Sequence, residues 1–171
     1  AGGAPRPISH VNRLRREFPN ANPALGYGLT ETNAVGCANF WSSYVAKPAS
    51  TGRAQQPIVQ VSILGAGDRR METGEVGEIG IRSAANIKGY WANPVATAEA
   101  LAPDGTIRTG DIGYLDADNY LYLTDRVSFT IVSGGVNIYP QEAENILVMH
   151  PAVADAAVFG VPDVSAGEEL A

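Results

Sequence analysis

Cysteine is almost absent: Cys37 is the only one in 171 residues. A lone thiol excludes an intrachain disulfide framework and suits a reducing, cytoplasmic home. Long apolar runs are missing too. A membrane-spanning helix needs about 20 apolar residues, and the uncharged stretch from Thr32 to Ala46 is short and broken by Asn, Gly and Ser. The start, AGGAPRP, has no basic region leading into an apolar one, so no signal peptide is read there. Positive charge is scarce, with 12 Lys and Arg against 18 Asp and Glu and a net charge of −6. That balance argues against nucleic acid and an anionic membrane surface as partners. The two histidines, His10 and His150, have no Ser, Cys or metal-ligand partner at a recognisable spacing, so solvated or helix-end roles suit them. Cys37 has no basic neighbour to activate it and reads as packing.

Hydrophobic residues make up 45% and charged residues 18%, as in an ordinary globular chain. Gly 19 and Pro 11 point to many turns. Ile8, Val11, Leu14 and Phe18 form one helical stripe, started by Pro7 and stopped by Pro19. Ala24 to Tyr27 reads as a buried strand that breaks into glycine. From Pro57 the period becomes two: Val59, Val61 and Ile63 alternate with Gln60, Ser62 and Leu64. Gly77 to Arg82 reads as another strand, and Asn93-Pro94 opens a short helix through Leu101. Ile112–Asp116 and Tyr120–Thr124 flank a hairpin turn. A boundary near Val127 precedes a strand from Phe129 to Val132, a helix from Pro140 to His150, and a strand from Val153 to Val161. The chain thus divides at 57 and 127, is α/β in class, and carries a β-rich middle (57–126). Its first residue is Ala, not Met, and it stops at GEELA, which reads as a segment of a longer protein.

Four segments hold more special residues than their elements need. Gly2-Gly3-Ala4-Pro5 is either a plain turn or a place where a ligand meets bare backbone. Tyr27-Gly28-Leu29-Thr30-Glu31-Thr32 puts an aromatic face, a hydroxyl and a carboxylate at the end of a strand. Those groups suit a flat base, a phosphate and Mg²⁺, although a solvated loop would look the same. Arg108-Thr109-Gly110-Asp111, with Arg126 fifteen residues after Asp111, is either a surface ion pair or a holder of ribose hydroxyls and phosphate. Ser133 to Pro140 sets Gly134-Gly135 between a strand and a helix, as a tight turn or as a slot for a thin substituent. By contrast, Gly74-Glu75-Val76-Gly77-Glu78-Ile79-Gly80 lacks the Lys-Ser/Thr of a phosphate loop and reads as turn plus strand.

Taken in order, GGAP, YGLTET, KPASTG, GEVGEI, GYW, RTGD, DR and SGGVNIYPQEAE resemble the ANL adenylate-forming superfamily over essentially the whole chain. Leu29 and the SGGVNIYPQE segment are similar to its acyl-CoA synthetase branch, not to peptide-synthetase adenylation domains. The resemblance implies that residues 1–56 end the adenylate-binding part of a large N-terminal domain, 57–126 form its β-rich subdomain, and 127–171 begin a small C-terminal domain. It implies ATP, Mg²⁺ and CoA as cofactors and a carboxylic acid as substrate. It implies that the acid attacks the α-phosphate of ATP to give acyl-AMP and pyrophosphate, and that the CoA thiol then displaces AMP to give a thioester.

Residue by residue, the resemblance implies Gly3, Ala4 and Tyr27 around adenine, Thr30 on a phosphate oxygen and Glu31 on Mg²⁺. It implies Asp111 on the ribose hydroxyls and Arg126 on ribose or phosphate. It implies Ser128 at the interdomain hinge, where the family commonly has Asp or Lys, and Gly134 and Gly135 along the pantetheine tunnel. The family's phosphate loop and its C-terminal adenylation lysine have no counterpart in these residues, which implies that the polypeptide alone does not turn over. An acyl acceptor on a carrier protein is the alternative within enzymes. A non-catalytic, self-associating fragment is the alternative outside them, since incomplete cores expose apolar surface.

Overall fold

The computed structural model describes the backbone from Ile8 to Ala171 and side chains from Val11 onward. The readings placed on Gly3, Ala4 and Pro7, and on the side chains of Ile8 and His10, lie outside the described residues. The chain is mixed α/β, with three sheets among the described residues. It divides into two compact units, one running through Thr109 and including Gly113–Leu123, the other made of Gly110–Ile112 and Thr124–Ala171.

In the first unit, helix α1 (Ile8–Glu17) buries Val11 completely, against Leu25 and Tyr44. The apolar stripe ends one turn earlier than its pattern suggests: Phe18 lies past the helix and is more than half exposed. Strand β1 (Ala24–Tyr27) pairs antiparallel with β2 (Cys37–Phe40), which pairs with β3 (Arg53–Ala54). This is a correction to the reading of β1 as fully buried. It sits in a small antiparallel sheet with only Leu25 enclosed. Helix α2 (Trp41–Ala46) follows β2 directly.

The second sheet runs β4 (Val59–Leu64), β5 (Gly77–Ser83), β6 (Thr106–Leu115), β7 (Leu121–Arg126). In β4 the alternation holds for Val59 and Gln60 and then breaks, because Ser62, Ile63 and Leu64 are all enclosed. Val59, Ile63, Ile79, Ile81, Leu121 and Cys37 make the core cluster of this unit. Helix α3 (Pro94–Ala100) starts as expected: Asn93 Oδ1 accepts from Ala96 N at 3.1 Å, with Pro94 in the first turn. The β6–β7 hairpin also appears, turned by Asn119 at φ 61°, with Asp116 Oδ1 accepting from Asp118 N and Tyr120 N at 2.9 Å each.

Burial in this core pushes the Cys37 thiol up to about 12 from an ordinary 9.0. In the unfolded chain the thiol ionises near 9, so native stability from the neutral thiol is present below that pH and lost as pH rises toward 12. At pH 8 the native chain should resist iodoacetamide for hours and react within minutes in urea. Equal rates in both states would show that the core opens around Cys37.

In the second unit, β8 (Ile131–Ser133) and β9 (Val136–Ile138) form a hairpin, and the sheet order is β10 (Gly160–Asp163), β11 (Gly167–Leu170), β8, β9. Helix α4 (Pro140–Leu147) carries Glu142 in its first turn, where the macrodipole favours an acid. Two expectations change here. The strand placed at Phe129–Val132 begins at Ile131, because Val127–Phe129 tighten into a 3-10 turn closed by Thr130 N on Val127 O. The strand placed at Val153–Val161 begins at Gly160. Phe159 still exchanges backbone bonds with Ala171, at 3.2 and 3.0 Å, but Val158 N donates to Glu144 Oε1 of α4 at 2.9 Å and not to a neighbouring strand.

Candidate functional site

The first cluster is the YGLTET turn. After β1, Thr30–Thr32 close a 3-10 turn. Thr32 is fully buried, and its Oγ1 both accepts from Leu29 N and donates to Leu29 O at 3.1 Å. The turn ends at Asn33 in the left-handed region, a conformation asparagine tolerates well. Gly28 is required by close approach: a Cβ there would lie 2.6 Å from the Ala34 carbonyl. The result is a tight knuckle that leaves Thr30 exposed and Glu31 half-buried. Tyr27 packs beside the Cys37 core cluster.

A hydrogen bond from Tyr90 Oη to Glu31 Oε1 at 2.8 Å orients the carboxylate. Accepting from that phenol, followed by partial burial, holds the Tyr90 pKa above its usual range. No group of three metal-ligating side chains occurs among the described residues. Mg²⁺ does not require one, because it keeps several waters and takes one or two carboxylates plus substrate phosphates. A single oriented carboxylate beside an exposed hydroxyl therefore fits Mg²⁺ carried by a nucleotide.

The second cluster, in the other unit, joins Asp111 to Arg126. Asp111 is 8% exposed in β6, and its Oδ1 accepts from Arg126 Nε of β7 at 2.9 Å. The two residues sit in facing strands of one hairpin, so a fifteen-residue separation becomes direct contact. Asp125, which sequence reasoning left without a role, accepts from Arg126 N at 2.7 Å and from Gln141 N at 3.1 Å. The second of these bonds satisfies an N–H in the first turn of α4, whose own N-cap, Tyr139, offers none. Ser128 is exposed in the 3-10 turn that follows. Gly134 and Gly135 are not between strand and helix, as expected, but form the two-residue turn of the β8–β9 hairpin, with φ 57° and 82°. Both residues of such a turn need positive φ. A Cβ at either would meet nothing within 4 Å, so backbone conformation and not crowding calls for glycine.

KPASTG and GYW receive structural work that no local signal announces. Lys47 Nζ donates to Asp116 Oδ2 and, at 2.7 Å, to Asp118 Oδ2, and sits 4.4 Å from the Tyr120 ring centroid. These bonds and the charge of both acids keep Lys47 protonated well above its ordinary pKa. Asn39 Nδ2 donates to the carbonyls of Lys47 and Ser50, and Ser50 Oγ donates to Leu121 O at 2.8 Å. Together these bonds bind the 47–52 loop to the β6–β7 hairpin. His150 behaves as a helix-end residue, its Nδ1 accepting from Ala152 N at 3.2 Å.

With this geometry in place, comparison with known proteins is specific. The family described as AMP-binding enzyme matches residues 1–91, and the AMP-binding enzyme C-terminal domain matches residues 142–171. The chain belongs to the AMP-binding enzyme family, with part of its large domain followed by the start of its C-terminal domain. It is 38% identical over 167 residues to the long-chain-fatty-acid–CoA ligase FadD13 of Mycobacterium tuberculosis, covering 98% of this chain and 32% of that one. Among solved structures it is similar to o-succinylbenzoate CoA synthetase (MenE) of Bacillus subtilis in complex with its acyl-adenylate OSB-AMP. There the TM-score is 0.87 and the identity 34%, with 99% of this chain and 34% of that chain covered. The amide bond synthetase McbA of Marinactinospora thermotolerans matches with a TM-score of 0.88 and 36% identity, covering 99% and 34%. The chain thus spans about a third of the length of the relatives it matches. No helix among the described residues is long and apolar enough to cross a membrane.

Proposed function

We propose that these residues supply nucleotide-holding groups of an ATP-dependent acid–CoA ligase that makes an acyl-adenylate and then a thioester. The carrying observation is the Asp111–Arg126 pair, a nearly buried carboxylate held at 2.9 Å by an arginine. It occurs in a chain that is 34% identical to a synthetase solved with an acyl-adenylate. In this reading Asp111 accepts from both ribose hydroxyls. Arg126 faces ribose or phosphate with the rest of its guanidinium. Tyr27, with Gly3 and Ala4, flanks adenine. Thr30 donates to a phosphate oxygen, and Glu31 holds Mg²⁺. Bound there, Mg²⁺ would neutralise charge building on the phosphates. Ser128 in its exposed 3-10 turn absorbs backbone rotation at the hinge, and the bare Gly134-Gly135 turn faces the pantetheine arm of CoA. The carboxylic acid belongs to a fatty or aryl class, as in the relatives named.

The isolated chain is expected to bind AMP by calorimetry but to catalyse no acid-dependent ATP–pyrophosphate exchange. Exchange at rates of an ordinary ligase would overturn the second statement. Absence of any AMP binding, with self-association in sizing chromatography, would favour the structural-fragment reading instead.

A further inference from the structure

Glu31 does not stand alone. Its turn is joined to residues 85–90, more than fifty positions away, by three hydrogen bonds. Ile87 N donates to Glu31 O at 2.8 Å, Asn33 Nδ2 donates to Ala85 O at 2.6 Å, and Tyr90 Oη donates to Glu31 Oε1 at 2.8 Å. Tyr90 is itself fixed by the start of α3. Tyr90 N donates to Thr97 Oγ1 at 2.9 Å, the same hydroxyl donates to Asn93 O at 2.8 Å, and Asn93 N donates to Tyr90 O at 3.2 Å. The turn before it needs glycine. Gly89 has φ 146°, and a Cβ there would lie 2.7 Å from Thr97 Cγ2. A capped helix end thus holds a phenol, and the phenol holds the carboxylate.

A glutamate side chain has three rotatable bonds, and an unrestrained one would lose that freedom on binding a cation. A neutral phenol donating to one oxygen removes part of that freedom beforehand and leaves the carboxylate charge in place. Partners of this kind change metal affinity by roughly 10- to 100-fold. We propose that Tyr90 is a positioning residue that sets the divalent-cation affinity of Glu31. The proposal rests on the reading of Glu31 as the Mg²⁺ carboxylate.

The test is a Mg²⁺ titration of ATP binding by calorimetry on the 171-residue chain, comparing wild type, Tyr90→Phe and Glu31→Gln. Tyr90→Phe keeps the ring and deletes only the donor. It should raise the Mg²⁺ concentration for half-maximal ATP binding roughly tenfold. AMP affinity without Mg²⁺ and the thermal midpoint should stay as in wild type. Glu31→Gln should abolish the Mg²⁺ dependence. If Tyr90→Phe leaves the dependence unchanged while Glu31→Gln abolishes it, the proposal fails and the Glu31 reading stands. If neither changes it, or wild type shows no Mg²⁺-dependent binding, both fail. A Tyr90→Phe chain that loses AMP affinity and thermal stability together marks a structural clamp and overturns the proposal. Should that variant not fold, the ring-carbon NMR signal of Tyr90 in wild type decides. Movement on adding Mg²⁺ to the ATP-bound chain supports the proposal, and no movement overturns it.

Discussion

Replacing Asp111 by Ala is expected to weaken AMP and ATP binding about 100-fold. A carboxylate accepting from ribose hydroxyls makes charge-assisted hydrogen bonds worth about 1.5–3 kcal/mol each. Each 1.4 kcal/mol is about a factor of ten, so partial loss of two such bonds gives that range. The effect should be broad across acid substrates, because the ribose is common to all of them. It should also be separable from unfolding. Arg126, one partner left behind, has a side chain 58% exposed, so its guanidinium rehydrates in place. Urea denaturation should therefore shift little while calorimetry with AMP shows the loss. Unchanged nucleotide affinity in Asp111→Ala would remove the ribose role.

The largest stability effect is expected at Gly52. Its φ is 99°, and a Cβ there would lie 2.0 Å from Ala38 O, which is backbone and cannot swing aside. The same residue closes the loop joint. Leu121 N donates to Gly52 O at 2.8 Å, Thr51 N donates to Leu121 O at 2.9 Å, and Gly52 N donates to Ser50 Oγ at 2.9 Å. Gly52→Ala thus meets a backbone conformation costly for alanine and a main-chain clash, and relief of either pulls this joint apart. The combined destabilisation is about 3 kcal/mol or more. Natural domains hold only about 5–15 kcal/mol in total, so the variant should show a much lower urea midpoint or fail to accumulate. Gly105 is a control with φ 85° and open space around its missing Cβ. Gly105→Ala should cost far less. Equal midpoints for Gly52→Ala and wild type would show that the 47–52 loop is not held as described.

These two residues mark how much was legible in advance. The RTGD and DR segments carried their chemistry on the surface of the sequence, and a hairpin turn was readable from Ala117-Asp118-Asn119, but the contact between Asp111 and Arg126 was not. KPASTG was legible only as part of an ordered set. Its work depends on Lys47 reaching Asp116 and Asp118, about seventy residues away, and on Leu121. Tyr90 was hidden for the same reason: 59 residues separate it from the carboxylate it holds. No periodicity or local spacing encodes such a pairing.

Local chemistry also decided which element readings lasted. Asn93-Pro94 starts α3 because a side-chain cap and a preset φ act within one turn. The segment from Val153 to Val158 is as apolar as a strand, but a strand needs a ladder partner, and Val158 N turns to Glu144 of α4 instead. Gly134-Gly135 had the composition of a turn, while its place in a β8–β9 hairpin followed from strand pairing.

By itself, then, the sequence determined the mixed α/β class, the family, the starts of α3 and α4, the β6–β7 turn, and the residues offered to a nucleotide. Those properties arise from covalent preference, from short-range hydrogen bonds, or from ordered motifs. Only the tertiary structure decided that Asp111 is buried against Arg126, that Glu31 is held by Tyr90, and that Gly52 must lack a side chain. Each of these depends on which distant backbone or side chain fills the neighbouring space, and packing settles that only once the chain has closed on itself.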